Sequence, residues 1–236
     1  MGRPASARTP PPAREPRFWA EARAAGFDRV FAMDFEGGDR TGVVEYGVVA
    51  VGPGGIGEAR TGLCAPSGRI PFRDRETHGL SDQRLASARP FADQWDLFRG
   101  FRRKGPFLAH SAVVEDRFLR RQWRTPGEVP EWSGRPGTGM DWGPWLDSCG
   151  LWRGARPGES AGLRDCVEAA GLAGELEEAA AARCPPGRCR WHAALFDSLA
   201  CALLFRFVLE SHPDWGLRRV FLESGGNGSA EQTSFL

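Results

Sequence analysis

Residues 30–36 read Val-Phe-Ala-Met-Asp-Phe-Glu, an apolar run that ends in two carboxylates one residue apart. Alternate side chains of a β-strand share a face, so Asp34 and Glu36 project together while Phe31, Met33 and Phe35 fill the other side. Two anions at the end of a buried strand repel each other and lose hydration, and a cation is needed to make the arrangement favourable. A divalent metal is the simplest such partner.

The rest of the chain is read around that strand. Residues 1–16 are rich in Pro, Arg and Ala without periodicity, the composition of a disordered leader. The folded domain is expected over 17–223, with a flexible tail at 224–236. A short amphipathic segment, 18–25, leads into the opening strand, and strands at 43–51 and 58–64 follow with Gly-rich turns between, predicting a three-stranded meander. Residues 69–80 read as a loop. Residues 91–103 have helical spacing, 107–111 read as a short buried strand, and 113–124 as a helix with a basic face from Arg117, Arg120, Arg121 and Arg124. The Gly-, Pro- and Trp-rich stretch 125–143 is too long for an ordinary connection, so it is either a substrate-facing flap or a partner surface. A last strand is expected at 145–149, a helix at 160–171, a turn at 184–189, and a strongly patterned helix at about 193–211 that stops before Pro213. Strands first, then strands alternating with helices, predict an α/β fold with a mixed sheet covered by helices.

With 236 residues, 41% of them hydrophobic, the chain can build one sizeable core. A formal net charge of +1 means that any nucleic-acid binding must come from local basic patches. The six cysteines are scattered with no secretory segment before them, and no apolar run is long enough to span a bilayer. A reduced, cytoplasmic protein with no membrane association is expected.

Within the last helix the stripe Ala194, Asp197, Cys201, Leu204 and Val208 is apolar except for Asp197. A carboxylate there either serves the helix dipole or meets a cation. Asp116, near the start of an earlier helix, has the same two readings. His192 precedes Asp197 by five residues, about 140° around a helix, so a loop position is what would let its ring reach the same pocket. Cys184, Cys189 and His192 also offer three zinc ligands, but without a clear fourth.

Taken together, Asp34-Phe35-Glu36, then Asp116 after Ala109-His110-Ser111-Ala112, then His192 with Asp197 five residues on, form a pattern that resembles the DEDDh branch of the 3′-5′ exonuclease superfamily. That group includes polymerase proofreading subunits, ribonuclease T and oligoribonuclease. Supporting stretches are His78-Gly79-Leu80, like the family's His-Gly-Ile loop, Asp147-Ser148, like its Asp-Thr strand end, and 163–172, like its Leu-containing helix.

The resemblance implies an RNase H-like fold with a five-stranded mixed sheet flanked by helices. It implies that Asp34, Glu36, Asp116 and Asp197 hold two Mg²⁺ or Mn²⁺ ions about 3.5 to 4 Å apart, with His192 as the base that deprotonates the attacking water. Products would be nucleoside 5′-monophosphates. Gly37, His78, Gly79, His110 and Ser111 would meet the substrate, and two of them depart from the family pattern: Gly37 stands where Thr is usual and Ser111 where Asn is usual. The final Gln232-Thr233-Ser234-Phe235-Leu236 resembles the short bacterial sliding-clamp-binding peptide, with Gln232, Phe235 and Leu236 as anchors. The expected activity is therefore metal-dependent 3′-5′ exonucleolysis of single-stranded or frayed DNA, in proofreading or repair. RNA trimming by the same fold, or a non-catalytic nucleic-acid or clamp-binding module, are the alternatives.

Overall fold

Residues 30–36 do form a strand, β1 (Val30–Gly38), and it lies inside the sheet between an antiparallel neighbour, β2 (Gly42–Gly52), and a parallel one, β5 (Phe107–Ala109). The computed structural model describes residues 15–132 and 137–225. α1 (Arg17–Ala24) precedes β1, and β3 (Gly55–Ala65) completes the meander. Next come α2 (Phe72–His78), α3 (Asp82–Leu85), the two-residue β4 (Arg89–Pro90), a 3-10 turn (Phe91–Gln94) and α4 (Trp95–Arg102), then β5 and α5 (Val113–Gln122). The second half runs β6 (Val129–Pro130), β7 (Thr138–Gly139), β8 (Trp145–Asp147), α6 (Ser148–Ala155), α7 (Leu163–Ala169), α8 (Ala173–Arg183), α9 (Ala194–Ser211) and α10 (Leu217–Glu223). The sheet order is β4-β3-β2-β1-β5-β8, the expected mixed sheet with one additional short strand, β4, at its edge.

The period-2 alternation of β1 separates two apolar layers. Phe31, Met33 and Phe35 pack with Phe98, Phe101, Phe118, Trp142 and Trp145 under α4 and α5. Val30 and Ala32 face the other way and join Val49, Val51 and Leu108 beneath α9. Asp34 and Glu36 continue that second face, so the strand carries its two acids toward the beginning of α9. The helix is apolar nearly all round, with Leu199, Ala200, Leu203, Leu204 and Phe205 fully buried, which suits an element sandwiched between a sheet and other helices.

Local sequence explains where the expectations needed correcting. The 69–80 loop contains α2: Pro71 precedes it, Asp74 sits in its first turn, and Gly79 closes it in the left-handed conformation at φ 68°. α8, rich in Ala and Glu, and α6 were not anticipated. β5 ends at Ala109 because the chain turns at Ser111, whose φ is 69°. The described part of 125–143 is stapled to the body and does not stand off it. Arg102, fully buried, donates to the carbonyls of Pro130 at 2.8 Å, Trp142 at 3.1 Å and Gly143 at 2.9 Å, while Trp132 and Trp142 are buried.

One approach of backbone to backbone sets the position of α9. Gly47 on β2 lies opposite Asp34 on β1, and a Cβ at Gly47 would fall 2.3 Å from the carbonyl oxygen of Ala194. Gly47→Ala should therefore destabilise the protein by about 1–3 kcal/mol through overpacking, read as a lowered thermal midpoint. An unchanged midpoint would show that the helix start yields freely. Among the described residues no helix is long and apolar enough to cross a membrane, and the six cysteines are free thiols. Gln232, Phe235 and Leu236 lie outside the described residues, as do 1–14.

Candidate active site

Three elements meet at the end of β1. β1 supplies Asp34 and Glu36, the first turn of α9 supplies Asp197, and the segment between α8 and α9 supplies His192. One ligand atom from each of Glu36, His192 and Asp197 lies within 4.8 Å of the others, close enough to share a cation, and neither Cys184 nor Cys189 belongs to this group. Glu36 is 9% exposed and Asp197 7%.

The electrostatics are those of anions gathered without enough positive charge. Burial, and then Asp197 and Glu36, hold Asp34 well above the usual carboxylate range. Burial first, and then Asp197 and Glu45, push Glu36 up to about 8. Burial raises Asp197 to about 7 against the opposing hydrogen bond from the His192 backbone. His192 moves the other way, lowered by burial and then by the guanidinium groups of Arg164 and Arg190, so its imidazole is neutral near neutral pH.

The helix α5 brings a different acid to the cluster from the one expected. Both oxygens of Asp116 are engaged elsewhere: Oδ2 accepts from Arg120 at 2.6 Å and Oδ1 from the indole of Trp145 at 2.8 Å, with Arg120 reaching on to Asp141. Glu115 is the acid on the buried face of α5, and its charge acts on Asp34 and Glu36. It is 4% exposed, its Oε2 is buried without a hydrogen-bond partner, and burial followed by Asp147 and Glu36 raises it to about 8. Adjacent residues on a helix diverge by about 100°, so the two acids cannot share a direction. Glu115, Phe118 and Leu119, at i, i+3 and i+4, form the buried face of α5. That spacing was present in the sequence and is the signal that identifies the inward acid.

Oδ1 of Asp197 is likewise buried and unpartnered. Orphaned carboxylate oxygens among like charges are the groups a cation would satisfy, so Glu36 and Asp197 fit a divalent metal, with Asp34 and Glu115 outside that close group but acting on it through their charges.

Two further residues were not foreseen. Glu45 on β2 lies directly across from Glu36, and Arg188 pairs with it as a buried two-pronged ion pair, Nε to Oε1 at 2.9 Å. Arg188 also donates to the carbonyls of His78 at 2.7 Å and His192 at 3.2 Å, and Glu45 Oε2 accepts from the Ala194 N–H at 3.1 Å. Nothing in the spacing of residues 45 and 188 announced the pair.

The expected substrate contacts divide. Gly37 sits at a bulge where β1 shifts register, with φ 148°, and a Cβ there would lie 2.1 Å from the Gly42 carbonyl oxygen. That backbone explains why Thr is absent, and it leaves only main chain to offer a ligand. His78 is 2% exposed; its Nδ1 accepts from the Leu80 N–H at 3.0 Å, while Nε2 has no partner. Gly79 lies beneath the Arg190 guanidinium. His110 turns inward, one ring nitrogen paired with Ser148 Oγ at 2.9 Å and the other with the Ala161 carbonyl at 2.8 Å, so neither is left for a nucleotide. The Ser111 N–H is taken by Asp147, which also binds the N–H groups of Ala112 and Cys149.

No protein-family profile matches the chain. A curated relative, DNA polymerase III PolC-type of Thermotoga petrophila, is 29% identical over 168 residues, covering 70% of this chain and 10% of that protein. The chain thus spans about a tenth of the length of the curated relative it matches. Among solved structures, Exonuclease X in complex with 5′ overhanging duplex DNA matches with a TM-score of 0.61 at 22% identity, covering 83% of this chain and 99% of that one. The nuclease domain of 3′hExo, a DEDDh family member, bound to rAMP, matches with a TM-score of 0.53 at 15% identity, over 76% and 90% of the two chains. With its mixed sheet flanked by helices and its acids and histidine gathered at the end of β1, the protein has an RNase H-like exonuclease fold and resembles the DEDDh 3′-5′ exonucleases.

Proposed function

We propose that the protein is a metal-dependent 3′-5′ exonuclease that hydrolyses the terminal phosphodiester of single-stranded or frayed DNA and releases nucleoside 5′-monophosphates. The observation that carries this reading is the convergence of buried carboxylates with His192, a neutral imidazole, at one strand end. Asp34, Glu36, Asp197 and Glu115, in place of Asp116, would hold Mg²⁺ or Mn²⁺. Two such ions would supply Lewis-acid stabilisation of charge on the phosphoryl oxygens and the leaving oxygen. A ring nitrogen of His192 takes the proton of a water whose oxygen attacks the terminal phosphorus. The phosphorus–O3′ bond then breaks, and the 3′ oxygen of the shortened strand takes up a proton.

Arg164 and Arg190 are exposed beside His192, with Arg164 stacked on Trp191 at 5.1 Å, and are better placed for phosphates than Arg120, which is committed to Asp116 and Asp141. Burial and paired ring nitrogens make His110 a structural residue, and the main-chain N–H groups of Gly79 and Ser111 are committed to Arg75 and Asp147, so of the expected contacts the main chain of Gly37 and the side chain of Ser111 are the ones we assign to the terminal nucleotide. DNA is taken as the substrate because PolC is described as a DNA polymerase and Exonuclease X is described in complex with DNA. RNA is the second substrate to consider because another solved neighbour is described as 3′-end specific recognition of histone mRNA stem-loop by 3′-exonuclease, with a TM-score of 0.53.

Matched 5′-labelled DNA and RNA oligonucleotides, incubated with Mn²⁺ and with chelator, test the reading. DNA should shorten stepwise from the 3′ end in metal alone; RNA cut faster than DNA would reassign the substrate, and neither cut would remove the enzyme. A role in proofreading or repair through clamp docking is tested separately with a labelled Gln232–Leu236 peptide. It should bind a bacterial sliding clamp and be displaced by the full-length protein.

A further inference from the structure

His192 holds its backbone at φ 60°, a left-handed conformation that is uncommon for residues other than glycine, although histidine is enriched among them. The contacts that hold it there are visible. Its N–H donates to Asp197 Oδ2 at 3.0 Å, and its carbonyl accepts from Arg188 at 3.2 Å. One end of the residue is thus tied to a proposed metal ligand and the other to the buried Glu45–Arg188 pair. Arg188 and Glu45 are 3% and 2% exposed, and the same guanidinium holds the His78 carbonyl ahead of the Gly79 turn. Glu45 also accepts the Ala194 N–H, fixing the first residue of α9.

We infer that the Glu45–Arg188 ion pair is a positioning device for His192, holding its backbone in the left-handed conformation that aims the imidazole at Glu36 and Asp197. This rests on the reading of His192 as the base. A guanidinium is suited to the task because its planar fork can satisfy Glu45 through two N–H groups while others reach the two carbonyls. A lysine ammonium retains the charge but not that geometry. Neither residue needs to contact substrate, so the effect belongs in the rate of the bound complex and not in its formation.

Arg188→Lys, assayed on labelled single-stranded DNA with Mn²⁺, should lower kcat by about 10²-fold, the order expected from displacing a catalytic group by about an ångström, with KM little changed. The same substitution in a His192→Ala background should cost nothing further, because the group being positioned is gone. A purely structural role would lower both backgrounds equally and would overturn the inference, as would an unchanged kcat in Arg188→Lys. If His192→Ala by itself leaves the rate intact, the base reading fails instead, and the two failures are distinct. Should Arg188→Lys not fold, Glu45→Gln supports the same cycle, since it removes the anion that orients the fork while keeping an oxygen for the Ala194 N–H.

Discussion

Glu115→Gln should lower the rate of 3′-end hydrolysis by about 10² to 10³-fold, the scale on which removing one group that stabilises transition-state charge acts, while Asp116→Asn leaves kcat nearly unchanged. Glu115 turns inward with an unpartnered oxygen, where its charge acts on Asp34 and Glu36, and Asp116 is spent on Arg120 and Trp145. The two variants also separate in stability. Glutamine is close in shape to a carboxyl raised to about 8, which is protonated at neutral pH, so the metal-free variant should fold as well as the parent. Asparagine at 116 weakens a charge-assisted bond and should cost about 0.5–1.5 kcal/mol. Steady-state rates on a DNA oligonucleotide and thermal midpoints in chelator measure both effects. Loss of activity in Asp116→Asn with activity retained in Glu115→Gln would restore Asp116 to the metal site.

The metal-free protein should lose stability as pH rises from about 7 to about 8, and Mn²⁺ should restore it. Glu36 and Glu115 are raised to about 8 and Asp197 to about 7, whereas the same carboxyls in the unfolded chain titrate near 4. Across that window the folded state holds more protons than the unfolded one, and stability therefore falls with rising pH. The lowered histidines, His78, His110 and His192, act in the opposite sense but below this window, since unfolded histidine is already largely neutral there. A divalent ion replaces the protons, so its effect grows with pH. At a concentration 100-fold above its dissociation constant it adds about 2.7 kcal/mol, or roughly 5–10 °C in a protein of this size. Scanning calorimetry in chelator and in Mn²⁺ at the two pH values is the measurement. A midpoint that rises with pH in chelator, or that ignores Mn²⁺, would contradict a metal site built from these carboxylates.

Much of this was legible before any coordinates. The alternation of β1 separated Asp34 and Glu36 from Phe31, Met33 and Phe35, because a strand's period is two whatever surrounds it. The apolar stripe of α9 placed Asp197 on a buried face for the corresponding reason at a period of 3.6. The turn chemistry of Pro71 and Gly79 marks α2, where a loop was expected, and the alanine-rich propensity of residues 173–183 marks α8, where no element was expected.

The choice between Glu115 and Asp116 was within reach, since Phe118 and Leu119 lie three and four residues beyond Glu115. The joint acidic pattern placed this site acid at Asp116, one residue past the inward-facing position. His110 had no such local signal: only the approach of Ser148 and Ala161 shows that both its nitrogens are consumed.

What the sequence by itself determined is the set of elements and the faces their acids occupy, since periodicity is a property of neighbouring residues. Only the tertiary structure decided which groups meet. Glu45 and Arg188 are far apart in the chain, and their pairing follows from a register on β2 and a turn after α8 that no local pattern encodes. The left-handed backbone of His192 is of the same kind: it is held by contacts from Asp197 and Arg188, and its conformation is a consequence of the assembled fold.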